Sequence, residues 1–156
     1  MNDSSINKSA IDFITSLPMV LNRTLDAIMP PYRDLFQEFG VTEQQWRVLR
    51  ILWEQKHLTS SQISNFTLLP APSLVGILDR LEKKGLVSRL RSTLDRRQVH
   101  IAITLKGQKL QEKVIPRVQS IQELNKKNFS TEDWVQINSI LNKFLSTLTE
   151  SQDDAK

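Results

Sequence analysis

Apolar residues recur along this chain at helical spacing for most of its length, with one stretch where they alternate instead. Ile14, Leu17, Leu21, Leu25 and Ile28 stand three and four apart, which predicts a helix with a single apolar stripe. Pro18 falls near its first turn. Pro30 and Pro31 interrupt it, because proline lacks the backbone donor and crowds the preceding turn. Tyr32, Leu35, Phe36 and Phe39 resume the period, and Gly40 supplies a C-terminal stop. Thr42 with Gln45 reads as a capping box that opens a second helix, whose inward face is Trp46, Leu49, Leu52 and Trp53. A short connection over 55–58 leads to Thr59, which caps a short third helix with Ile63 and Phe66 inward. A fourth helix begins at Pro72 and turns Leu74, Ile77, Leu78 and Leu81 to the core, with Gly85 as its stop.

Past Gly85 the period changes. Residues 86–91 read as a strand. Residues 98–103 alternate, with Val99, Ile101 and Ile103 on one face, and read as a second strand. Helical spacing then returns. Leu110, Val114, Val118, Ile121 and Leu124 mark a fifth helix capped by Thr104, and Pro116 inside it predicts a bend. Ser130 with Asp133 opens a last helix, in which Trp134, Ile137, Leu141, Phe144 and Leu148 follow the 3-4-3-4 spacing of helices that pack lengthwise.

This order predicts an α+β fold, mainly α with a small β-hairpin wing: a winged helix-turn-helix. The DNA-binding lobe is expected over 41–104, with dimerisation helices over 10–40 and 105–149. The polar ends, 1–9 and 150–156, are expected to be disordered. The first and last helices carry wide apolar stripes that no remaining element of the chain is large enough to cover. A homodimer with interleaved terminal helices resolves this; a monomeric helical bundle is the alternative.

Composition narrows the chemistry. The 156 residues are 39% hydrophobic and 24% charged, ordinary for a globular chain, and contain no cysteine, which excludes disulfides and thiolate metal sites. The two histidines, His57 and His100, are far apart in sequence, so no metal or other cofactor is expected. No signal-peptide pattern and no apolar run near the roughly 20 residues of a membrane span is present, so a cytoplasmic protein without a membrane partner is expected. An enzyme is not expected, because the chain has no phosphate loop and no nucleophile with a nearby base. The net charge is +4, and 42–104 alone holds ten Lys/Arg against five Asp/Glu. That local excess suits nucleic acid.

On the fourth helix, Pro72, Ser73, Gly76, Arg80 and Lys83 fall outside the core face. An exposed mid-helix glycine costs about 1 kcal/mol relative to alanine, so Gly76 needs a reason, and close approach to a groove wall is one. Ser60, Ser61 and Gln62 open the third helix and join the candidate set. Arg91 and Thr93 lead into a hairpin tip carrying Asp95, Arg96 and Arg97. Adjacent arginines at such a tip suit a narrow minor groove. Asp95 reads as a brace on Arg97. A helical interaction protein with a basic face is a competing reading; arginines concentrated at a hairpin tip weigh against it.

The segment LDRLEKKGLVSRLRSTLDRRQVHIAITLKGQ resembles the signature of the MarR family of winged-helix regulators, through Asp79-Arg80-Leu81-Glu82, Gly85-Leu86-Val87, Asp95-Arg96-Arg97 and Ile103-Thr104-Leu105-Lys106-Gly107. Within that family, residues 41–52 and 72–78 resemble repressors of aromatic-acid catabolic operons, the homoprotocatechuate and hydroxycinnamate types. The resemblance implies a homodimer on a pseudo-palindromic double-stranded operator, with its paired recognition helices in successive major grooves and release by a small aromatic carboxylate. Many members carry Thr-Arg where this chain has Val75-Gly76, so the base contact of that arginine does not carry over. The family's ligand pocket lies between the dimerisation helices and the DNA-binding lobe. Trp46, Arg47 and Arg50 on the second helix, with Arg23, Tyr32, Arg33 and Phe36 on the first, are the candidate lining, and Arg47 is the candidate carboxylate anchor. Surface pairing of these arginines with Glu43, Glu54 or Asp34 is the bland alternative, and a constitutive or architectural DNA-binding protein without an effector is the alternative function.

Overall fold

The computed structural model describes residues 13–91 and 99–153, with side chains up to residue 148. A short 3-10 turn, Phe13–Thr15, precedes α1 (Leu17–Ile28) and α2 (Pro30–Glu38). Then come α3 (Glu43–Gln55), β1 (His57–Thr59), α4 (Ser60–Thr67), α5 (Ala71–Lys83), β2 (Val87–Arg91), β3 (Val99–Ile103), α6 (Leu105–Lys126) and α7 (Thr131–Asp153). The chain divides into two compact units at Val118.

In the first unit, α3, α4 and α5 close around one core with the sheet. Val48, Leu49 and Leu52 of α3, Ile63 of α4, Leu74, Ile77, Leu78 and Leu81 of α5, and Ile101 of β3 are buried there. The sheet is antiparallel in the order β1-β3-β2. Ile101 lies opposite Leu58 on one side and Arg89 on the other. Alternation then sends Leu58, Ile101 and Val87 to the core face, where all three are buried.

The caps form as the sequence implies. Thr42 and Gln45 make a reciprocal capping box on α3, and Thr59 with Gln62 makes one on α4. At the end of α5 the Gly85 N–H donates to Glu82 O (2.8 Å) and the Leu86 N–H to Leu81 O (3.0 Å). This closure needs a left-handed residue after the cap, and Gly85 supplies it with φ +70°. Gly107, at the start of α6, sits where the backbone passes β2: a Cβ there would lie 2.4 Å from Leu86 O.

Three readings of the pattern are corrected. His57 and Leu58, expected in a connection, form β1 together with the cap residue Thr59, because pairing with β3 supplies the order that three residues cannot signal alone. Phe66 is not inward but 58% exposed; on so short a helix Ile63 and Thr67, four apart, fill the core side. Trp46 and Trp53 are only half-buried, because the deep face of α3 is Gln45, Val48, Leu49 and Leu52. Gln45 is tolerated there because its side-chain oxygen accepts from the Thr42 N–H (3.3 Å) and from Lys84 Nζ (2.9 Å). The interruption expected at Pro30 and Pro31 forms: α1 ends at Ile28 and α2 begins at Pro30, joined at Met29.

In the second unit, Ser130 caps α7: its hydroxyl accepts from the Asp133 N–H (3.0 Å) and donates to Asp133 Oδ2 (2.9 Å). Val135, Ile137, Ile140, Leu141, Phe144, Leu145 and Leu148 of that helix are exposed, as are Leu17, Val20, Leu21 and Leu25 of α1 in the first unit. No helix of the described residues is long and apolar enough to cross a membrane.

Candidate nucleic-acid interface and aromatic cluster

The core stripe of α5 leaves Pro72, Ser73, Val75, Arg80 and Lys83 exposed and Gly76 partly so. Gly76 has a local role. Arg80 lies one turn on, and its guanidinium folds back over the glycine, with Nη1 3.4 Å from where a Cβ would stand. The absent side chain thus gives the guanidinium a shallow seat on the exposed face. Arg80 has no carboxylate partner among the described residues, so its charge is available to phosphate or a base edge. Val75, 56% exposed on the same face, was absent from the sequence-derived set. An apolar group there suits contact with a thymine methyl.

The other acidic and basic groups of this stretch pair across elements. Arg89 of β2 donates to Asp79 Oδ1 (2.6 Å) and also to Glu82, both on α5. The Asp79 hydrogen bond above all, with the charge of Glu82, raises the Arg89 pKa above its ordinary value despite some desolvation. This clamp ties the wing strand to the helix. Sequence spacing of seven and ten residues across a turn gave no signal for it.

On α4, Ser60, Ser61 and Gln62 are exposed. The Gln62 carbonyl accepts from the Thr59 N–H (2.9 Å), which leaves its amide nitrogen as the outward donor. Arg91 is exposed at the end of β2. Thr93, Asp95, Arg96 and Arg97, including the proposed Asp95 brace, lie outside the described residues. The two histidines, distant in sequence, meet across β1 and β3 with ring centroids 5.9 Å apart. Among the described residues no group of three potential metal ligands forms.

The aromatic residues of the second candidate set form a continuous cluster. Tyr32 lies 6.3 Å from Phe36, Phe36 stacks on Trp46 at 4.7 Å, and Trp46 meets Trp53 edge-on at 5.4 Å, between centroids. Phe36 and Arg33 also line a depression of about 400 Å³ with Val41, Thr42 and Glu43. The arginines are paired on the surface: Arg47 with Glu43 at 2.9 Å, Arg33 with Glu43 at 3.4 Å, and Arg50 with Glu54 at 3.1 Å. The pairs with Glu43 and Glu54 that the surface-pairing alternative names are present. Asp34 takes no part in these pairs. Such half-exposed pairs are worth at most about 1 kcal/mol and exchange partners readily. Arg23 is exposed on α1.

An exposed basic helix after a capped short one, with a three-stranded sheet packed beside it, defines a winged helix-turn-helix protein. The chain belongs to the MarR family, whose family model matches residues 41–99. It is similar to the homoprotocatechuate degradative operon repressor of Escherichia coli, 31% identical over 139 residues, which cover 89% of this chain and 94% of that one. It is similar also to the HTH-type transcriptional regulator FarR of Neisseria gonorrhoeae, 38% identical over 99 residues covering 64% and 68% of the two chains. Among solved structures, NadR in complex with 4-hydroxyphenylacetate superposes with a TM-score of 0.73 at 30% identity, over 92% of this chain and 97% of that one. Ligand-free NadR gives 0.77 at 30% identity, over 88% and 98%.

Proposed function

We propose that this protein is a ligand-responsive transcriptional repressor that binds a pseudo-palindromic operator as a homodimer and leaves it when a small aromatic acid binds. It works in the cytoplasm and catalyses no reaction. The observation that carries the reading is the α5 face: Ser73, Val75, Arg80 over Gly76, and Lys83, solvent-exposed on a helix tied to the wing by Arg89. Residues 41–104 read DNA, with Ser60, Ser61, Gln62 and Pro72 beside that face and Arg91, Thr93, Asp95, Arg96 and Arg97 in the wing. Residues 10–40 and 105–149 dimerise. Two α5 helices about 34 Å apart then enter successive major grooves.

The effector is a hydroxyphenylacetate- or hydroxycinnamate-like carboxylate. Support comes from relatives named for homoprotocatechuate degradation and for a 4-hydroxyphenylacetate complex. Its ring stacks in the Tyr32–Phe36–Trp46 cluster. Glu43 carries two guanidiniums, Arg33 and Arg47, so that group has a positive charge to spare for the ligand carboxylate. Arg47 is the anchor, with Arg33, Arg50 and Arg23 as further contacts. The ligand shifts the population of dimer states by its differential affinity for them, toward a lobe spacing that misses the grooves.

The test is release of operator DNA by hydroxyphenylacetates, hydroxycinnamates and hydroxybenzoates. Arg47→Ala is expected to keep operator binding and lose release; a normal response in that variant sinks the anchor assignment. Release by none of these acids favours a constitutive repressor, a reading supported by the carboxylate already present on each of Arg33, Arg47 and Arg50.

A further inference from the structure

We propose that the groove between the end of α2, the α5–β2 turn and the first half of α6 is a second binding site, for an amphipathic organic anion. Its volume is about 410 Å³, within the range of small-molecule sites. Four lysines line it, Lys84, Lys106, Lys109 and Lys113, and no carboxylate does. Its apolar surface comes from Phe39, Leu86 and Leu110.

The lysines divide into two kinds. Lys84 Nζ donates to Gln45 Oε1 (2.9 Å) and to the Gly40 carbonyl, and Lys106 Nζ donates to the Lys84 carbonyl (2.7 Å). These ammoniums are held in place by neutral oxygens, so their charge is not cancelled. Lys109 and Lys113 have no hydrogen-bond or ion-pair partner among the described residues. They stand four apart on one helix, about 6 Å along its axis. Like charges at that spacing repel and destabilise the helix slightly. One turn on, Arg117 continues the same basic ridge, but there Glu38 accepts from both terminal guanidinium nitrogens at 3.0 Å. The ridge is neutralised where it leaves the groove and left charged inside it.

That arrangement selects its occupant. A lone inorganic ion gains nothing from Phe39, Leu86 and Leu110, and a neutral apolar molecule gains nothing from four ammoniums. A carboxylate or phosphate head between Lys109 and Lys113, with a ring or short chain on the apolar residues, uses both. Operator phosphate is a poorer fit. Lys84 caps the far end of α5, about 18 Å along the helix axis from Pro72 at its DNA-facing start. The groove is also separate from the aromatic cluster, since none of Tyr32, Phe36, Trp46 or Arg47 lines it.

Calorimetric titration of the full chain with hexyl phosphate, octanoate, inorganic phosphate and hexanol tests this. One of the two amphiphiles is expected to saturate one site per protomer, at least about tenfold tighter than inorganic phosphate or hexanol. The stronger amphiphile identifies the head group as phosphate or carboxylate. Lys109→Gln with Lys113→Gln, both exposed positions, is expected to weaken that binding by about tenfold or more. Lys56→Gln with Lys127→Gln, which removes the same charge elsewhere, is expected to leave it unchanged. The proposal is overturned if inorganic phosphate binds as tightly as the amphiphiles, if neither amphiphile saturates, or if the two double variants behave alike. None of these outcomes depends on operator release, so the aromatic-acid reading stands or falls separately.

Discussion

Leu52 of α3 and Leu141 of α7 hold similar places in two helical stripes, yet one is wholly buried and the other is 43% exposed. The difference lies in their surroundings. Around Leu52, four helices and a sheet were within reach of one short stretch of chain, and Val48, Leu49, Ile63, Leu74 and Leu81 close the core with it. Around Leu141 the same kinds of residue, Ile137, Ile140, Phe144 and Leu148, face outward. Burying a side chain of this type contributes about 1.5–3 kcal/mol relative to leaving it exposed. Periodicity therefore states that a face will be covered. It does not state that the same chain will cover it, and the exposed α7 stripe is the molecular basis for proposing a homodimer.

The comparison breaks most severely if each stripe is interrupted in turn. Leu141→Asp with Phe144→Asp is expected to abolish the dimer, because two carboxylates would have to be buried in its apolar seam. Operator affinity is expected to fall about 100-fold or more as the avidity of two half-sites is lost. The lobe itself should keep its helical circular dichroism. Sedimentation velocity checks the first point, and a dimer that survives both substitutions counts against the coverage of α7 by a second copy. Leu52→Ala is the counterpart in the lobe. It leaves a cavity in a closed core and is expected to lower the unfolding free energy by about 2–5 kcal/mol, read by urea titration.

The two regions also differ in how much of them was legible. Helix starts were, because a cap is local chemistry: Thr42 with Gln45, Thr59, and Ser130 with Asp133 each need only three residues of context. The α5 core face was legible because its four apolar residues repeat cleanly. β1 was not, since its order comes from β3, more than forty residues away. The tryptophans misled because their size suggests burial, whereas Gln45, polar but with its side-chain oxygen accepting two hydrogen bonds, takes the deeper place. In the candidate site, the exposed set on α5 followed from periodicity. The Arg89 clamp and the meeting of His57 with His100 depend on tertiary pairing that no spacing rule encodes. Even Gly76, flagged from its cost, had its neighbour Arg80 within one turn.

Two glycines sharpen the contrast between a packed and an open surface. Gly107→Ala is expected to destabilise the lobe by about 1–3 kcal/mol, because the new Cβ would stand 2.4 Å from the Leu86 carbonyl and backbone cannot step aside cheaply. Gly76→Ala meets only the mobile end of Arg80, at 3.4 Å. It is expected to leave stability unchanged or raise it by up to about 1 kcal/mol, from helix propensity. Thermal unfolding of both variants reads the difference. A Gly107→Ala protein as stable as the parent means that the start of α6 does not pack on β2 as described.

The smallest expected effect tests whether the helix-turn-helix connection stores strain. Leu68 ends α4 with φ 56° and ψ 27°, left-handed, and its side chain is 82% exposed. A leucine there costs about 1–2 kcal/mol relative to a right-handed residue, and it contributes little packing to offset that cost. Its neighbours carry the structure of the turn instead: Leu69 is buried, and its carbonyl accepts from the Ser64 hydroxyl at 2.6 Å. Leu68→Gly is therefore expected to raise the unfolding free energy by up to about 1 kcal/mol, the relief of strain being partly cancelled by the greater freedom of glycine in the unfolded chain. Urea unfolding measures it directly. A clear loss of stability would mean that the exposed leucine is covered in the assembled protein, which moves this turn from the self-contained lobe to the class of surface that α7 represents.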